Sequence, residues 1–166
     1  MSILVLGLKS IYVACICYAV VSDFRSLTIP NWIVVVLVSA FAASAAVSME
    51  PRSILVHVAV AAAVLLLFLA FFLAGWVAGG DVKLIAAVAL WIGPENASLF
   101  MLLTAVLGAL LALALLAIRT HGSLISGTLG GTWVYRRARS LAEGSQCPYG
   151  VAIGLAALLL SARVLP

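Results

Sequence analysis

Long apolar runs broken by short polar clusters set the pattern of this chain. From Ile3 to Val21, Asn31 to Val47 and Ile54 to Leu73 the apolar positions are almost uninterrupted. A helix needs about 18–20 such residues to cross a bilayer. A shorter run spans Val82 to Ile92 and stops at Gly93-Pro94; a fifth covers Ala97 to Ile118 and a sixth Tyr149 to Val164. The pattern therefore predicts six membrane helices. Pro30 stands just before the second, where its missing N–H costs nothing. Helix 4 is the odd one: its eleven residues rise only about 16 Å, short of the roughly 30 Å hydrocarbon core. The segment Gly75–Gly80 then has to cover part of the depth. Non-helical backbone survives there only where it lines a cavity or is buried in protein. A wet or substrate-filled notch beside Asp81 is the consequence.

Composition narrows the class. Of 166 residues 66% are hydrophobic and 8% charged, against about 25% charged in a soluble domain. The fold class expected is an all-α membrane protein: one integral-membrane domain over residues 1–166, a bundle of about six helices. The net charge of +4 is a topology signal here, so no nucleic-acid partner is expected. Arg25, Lys83, Arg119, Arg136, Arg137 and Arg139 fall in segments 22–30, 74–83 and 119–148. Arg52, Arg163 and, nearer the starting side, Lys9 go with the other face. The positive-inside rule makes the first face cytoplasmic, with both termini outside. Residues 1–22 lack a basic stretch before the apolar run, and Lys9 lies within it, so they read as a retained helix, not a cleaved signal.

Segment 119–148 reads as one long cytoplasmic loop. Its basic portion "TWVYRRARSLAEG" (132–144) suits a helix at the interface, held to anionic lipid or gating substrate. Trp32, Trp76 and Trp91 lie near helix ends, as interfacial anchors do. Cys15, Cys17 and Cys147 form no paired motif, and His57 and His121 are far apart. No metal site and no cofactor is expected.

The acids carry the candidate chemistry. Asp23 and Asp81, 58 positions apart, fall at cytoplasmic helix ends at similar depth, whereas Glu50 and Glu95 fall in outer loops. Asp81 follows Gly79-Gly80 and suits a helix N-cap; Asp23 suits a solvated helix exit, although an anion there opposes the helix dipole. Ionisable groups at membrane depth are costly and point to function. Two carboxylates brought together share a proton. The protonated one serves as general acid towards a scissile carbonyl, and the ionised one as general base towards water. Neighbouring glycines let a peptide backbone come close.

Three segments carry a family resemblance. "SDFRSLTIPN" (22–31) resembles the D-x-R-x-x-x-I-P-N element of the prepilin peptidases, membrane aspartic proteases of the GxGD type. "GGDVKL" (79–84) resembles their G-x-G-D-x-K-L element, and "CPYGVAIG" (147–154) their last-helix P-Y-G-x-A-I segment. The resemblance spans nearly the whole chain. It implies catalytic Asp23 and Asp81, a type IV prepilin or pseudopilin substrate with a short basic leader, and cleavage at the cytoplasmic face of the bacterial inner membrane. The chain departs in one place: Ala78 replaces the first glycine of GxGD, tolerable if it keeps a negative φ. With no paired CxxC loop, it is similar to the short, peptidase-only form of tight-adherence (Flp/Tad) pili, and methyltransferase activity is not expected.

Around the pair, Lys83 either favours an ionised aspartate or snorkels as a topology residue, and Arg25 either tunes Asp23 or anchors the chain. Pro30 and Asn31 shape the turn into helix 2. Pro148, Tyr149 and Gly150 shape the start of helix 6. Rival readings use the same acids as a proton relay in a small transporter, or in a GxGD protease of the signal-peptide-peptidase type; a non-catalytic assembly factor leaves the pair unexplained. The transporter predicts inverted repeats and polar residues lining several helices; the chain shows no repeat, and its helices are nearly bare of polar groups outside the two motifs.

Overall fold

In the computed structural model the described residues, 3–129, 132–144 and 147–163, form six α-helices and a closing 3-10 turn, with no strand among them. α1 covers Ile3–Ser26, α2 Asn31–Ser48, α3 Pro51–Leu73, α4 Gly79–Leu129, α5 Trp133–Glu143 and α6 Tyr149–Leu159. The first four are long and apolar enough to cross a membrane; α6 is apolar but only eleven residues long. The chain is an all-α, multi-pass membrane protein.

α4 joins two of the predicted helices. Its path breaks at Gly93, with φ 70° and ψ −176°, immediately before Pro94. A straight helix would hold Asp81 and Ala105 about 36 Å apart, yet both line one cavity. The limbs 79–92 and 94–120 therefore fold back on each other. Glycine takes the left-handed φ without strain. Pro94 cannot donate to the carbonyl of Leu90, its normal helical acceptor. His57 replaces it: Nδ1 donates to Leu90 O at 2.8 Å, which puts the proton on Nδ1. A side chain at Gly93 would collide with that imidazole.

The first limb is the axis of the bundle. Val82, Leu84, Ile85, Val88 and Trp91 are buried, as befits a helix apolar all round. α3, α2 and α6 pack on α4, and α1 packs on α2 and α6. Trp91 is 0% exposed, with Nε1 donating to Leu37 O at 2.9 Å. It is a core residue, not the interfacial anchor expected, because its limb ends inside the bundle. Trp32 and Trp76 are exposed.

Several predicted boundaries move. α1 runs past Val21 to Ser26, so Asp23 is helical. α3 starts at Pro51, not Ile54, with the proline in its first turn. α4 starts at Gly79, not Val82. Gly79 and Gly80 are thus helical, and the non-helical stretch is 74–78. The limb 79–92 rises about 21 Å, longer than expected but still short of the core thickness. Asp81 is not the cap: its N–H donates to Ala78 O at 3.1 Å, so Ala78 is the boundary residue.

The single long loop at 119–148 is not found either. α4 continues through a break at His121 to Leu129, and α5 takes up 133–143. α5 forms because its apolar side has something to cover: Leu141 and Ala142 are buried against Leu115, Phe24 and Leu27. Thr132 caps it through Tyr135 N–H. Residues 130–131 and 145–146 of that segment lie outside the described residues, as does Val164, the expected end of helix 6; α6 itself ends at Leu159.

Candidate active site

Asp23 lies in the closing turns of α1 and Asp81 in the first turn of α4, 4% and 6% exposed. Both line a cavity of about 190 Å³ with Thr28, Asn31, Gly80 and Lys83. Local sequence explains the meeting. After Ser26 the chain reverses through Leu27, whose φ of 55° is the only positive value outside glycine among the described residues. That left-handed turn is costly for a branched side chain. Hydrogen bonds hold it: Leu27 N–H to Asp23 O at 2.8 Å, and Ser22 Oγ to Thr28 O at 2.8 Å. The reversed segment then lies on α4, where a Cβ at Gly80 would stand 3.3 Å from Ile29 Cβ. Ala78 keeps a negative φ, as its place in the motif requires.

α6 supplies the third wall. The backbone N–H groups of Gly150 and Val151 point at Asp23, and that of Gly150 points at Asp81 too. These are first-turn amides of a helix, which carry partial positive charge; that of Val151 also donates to Pro148 O at 3.1 Å. Asp23 Oδ2 is nevertheless buried without a hydrogen-bond partner; the amides act on it as oriented dipoles. A Cβ on Gly150 would lie 2.8 Å from Asp23 Oδ2 and 2.8 Å from Ile29 Cδ1. Only glycine lets α6 approach this closely.

The remaining candidates separate. Lys83 Nζ donates to Asn31 Oδ1 at 3.0 Å, tying the starts of α4 and α2 together at the cavity rim. Pro30 precedes α2 in extended conformation. Pro148 precedes α6 and is buried. Arg25 points away, its guanidinium 5.3 Å from the centre of the Trp133 ring. Gly79 faces Phe72 at 3.3 Å from a notional Cβ. Tyr149 packs over Gly108 and lines a second cavity of about 580 Å³. That cavity also touches Asp81, together with Phe68, Phe71, Trp76, Met101 and Thr104.

Sequence reasoning missed three neighbours of the pair. Thr104 gives no signal beyond being polar in an apolar run. Arg137, read only as a basic topology residue, donates from Nε to Phe24 O at 2.9 Å, satisfying a carbonyl that the end of α1 leaves open. Cys147, given no role of its own in the sequence, lines the Asp81 cavity. Burial holds its thiol above the usual cysteine range, and the charges of Asp23 and Asp81 push the same way. Its thiolate is therefore scarce at neutral pH. In a Cys15→Ser/Cys17→Ser protein, maleimide is expected to label Cys147 slowly at pH 7 and faster as pH rises. Asp81→Asn removes a neighbouring anion, lowers the thiol pKa and speeds labelling at fixed pH; equal rates with and without Asp81 would disprove the coupling.

Among the described residues no cluster of three His, Cys, Asp or Glu is arranged to hold a metal ion. A buried carboxylate pair thus lies at a membrane helix end, and two cavities touch Asp81. A model of the type IV leader peptidase family matches residues 10–113, a stretch containing both Asp23 and Asp81. The chain belongs to that family and is a peptidase of the type IV leader kind. No curated protein and no solved structure matches it.

Proposed function

We propose that this chain is an aspartic endopeptidase that removes the short basic leader from type IV prepilins or pseudopilins of the Flp/Tad kind. It acts at the cytoplasmic face of the bacterial inner membrane, with both termini outside. The observation that carries the reading is the convergence of Asp23 and Asp81, from α1 and α4, on one cavity.

The pair shares one proton. The protonated carboxyl hydrogen-bonds the scissile carbonyl oxygen while the ionised one takes a proton from water. The resulting hydroxide adds to the carbonyl carbon, and the carbonyl oxygen takes the acid's proton. The tetrahedral diol then collapses: the C–N bond breaks, the proton held by the base passes to the leaving amine, and one diol hydroxyl returns its proton to the carboxylate that had served as acid. The Gly150 amide, aimed at both carboxylates, stabilises whichever is ionised. Lys83 and Asn31 hold the rim, and Pro30 and Pro148 set the starts of α2 and α6. α5, with Arg136 and Arg139 on its solvent side, lies on anionic lipid.

The test is co-expression with a Flp-type prepilin in a host lacking its own leader peptidase. The pilin mass is expected to fall by that of its leader, and a pilin left at full length would sink the reading. No step uses a metal, so EDTA is expected to leave the cleavage rate of the purified protein unchanged. A rate restored only by added divalent cation would contradict the two-carboxylate scheme.

A further inference from the structure

We propose that the hydroxyl of Thr104 is a substrate-binding group, hydrogen-bonding the main chain of the peptide where it leaves Asp81. This rests on the peptidase reading and extends it by giving the peptide a path.

Thr104 is 2% exposed, and its Oγ1 has no hydrogen-bond partner. That is unusual for a helix hydroxyl, which ordinarily turns back to the carbonyl four residues earlier. Ser10, Ser26, Ser48 and Thr120 of this chain all do so. Leaving a buried hydroxyl unpaired is unfavourable, the more so where no water reaches. Tyr12 and Ser44 are unpaired too, but neither lines a cavity at Asp81. Thr104 does: it stands on the wall of the 580 Å³ cavity, among Phe68, Phe71 and Met101.

The two cavities at Asp81 differ in kind. The one shared with Asp23 carries Thr28, Asn31 and Lys83; the one with Thr104 is mostly aromatic and aliphatic. A peptide held across Asp81 therefore runs from a polar chamber into an apolar one. Its leader sits on the Asp23 side and its apolar segment beside Thr104. An extended peptide brings an N–H and a C=O per residue, and in apolar surroundings each needs a partner. A threonine hydroxyl can donate or accept, so Thr104 meets that need next to the scissile bond.

The test compares Thr104→Val, which keeps the shape and loses the hydroxyl, with Thr104→Ser, which keeps it. With purified protein in bilayer discs and a synthetic prepilin peptide, Thr104→Val is expected to raise KM about 10-fold with little change in kcat. Thr104→Ser is expected to restore KM. The melting temperature of Thr104→Val should equal or exceed that of the parent, because an unpaired hydroxyl has gone. In Asp23→Asn/Asp81→Asn protein, which holds peptide without turnover, Thr104→Val should weaken fluorescent-peptide binding by a similar factor. A Thr104→Val protein within about twofold of the parent in KM and binding, or a serine variant as impaired as the valine one, overturns the proposal. Parent protein that binds the peptide through Thr104 yet never cleaves it overturns the peptidase reading and leaves this one standing.

Discussion

Asp23→Asn and Asp81→Asn are each expected to abolish prepilin cleavage while leaving the protein inserted at parental abundance. Asparagine matches aspartate in shape, so neither cavity wall need move. What is lost is the charge and the exchangeable proton. Positioned acid–base catalysis contributes about 10²–10⁴-fold per group, and groups acting as a unit are not additive. Each single variant is therefore expected to fall by at least about 10³-fold, with the double variant no worse. Quantifying mature pilin by mass against total pilin measures this. Normal cleavage by either single variant would mean that the two carboxylates do not act together.

Gly150→Ala should also cost activity, although it keeps both carboxylates. The added methyl would stand 2.8 Å from Asp23 Oδ2 and 2.8 Å from Ile29 Cδ1. Real side chains do not approach so closely, so either the carboxylate turns away or α6 retreats with its amides. Misplacing a reacting group by about 1 Å can cost 10²-fold, and a loss of that order is expected in kcat. Gly7→Ala is the matched control, since nothing lies within 4 Å of its notional Cβ; it should be silent. An active Gly150→Ala protein would mean that α6 does not press on the pair as described.

Much of the fold was legible because bilayers permit few choices. Every backbone polar group must be satisfied within the segment, so apolar runs announce helices. The break at Gly93-Pro94 followed from local chemistry, and the structure adds His57 as the donor that Pro94 cannot be. Boundaries were less legible. α1 continues through Val21 to Ser26, because the end of an apolar run marks a change in polarity and not the end of helical hydrogen bonding. The polar segment after Ile118 reads as loop by hydropathy alone, whereas α5 forms by covering Leu115, Phe24 and Leu27. Trp91 was misplaced because a tryptophan near a helix end looks alike in sequence whether it meets lipid headgroups or the carbonyl of Leu37.

By itself, the sequence determined that this is a helical membrane protein and that Asp23 and Asp81 are its costly ionisable residues. Both follow from local properties: the length of apolar runs and the price of a charge at depth. Tertiary structure alone decided that the acids share a cavity, that Gly150 must lack a side chain and that the Thr104 hydroxyl stands unpaired beside Asp81. These depend on distances between segments up to 127 positions apart, from Asp23 to Gly150. No local pattern encodes such distances; they arise when α1, both limbs of α4 and α6 pack against one another.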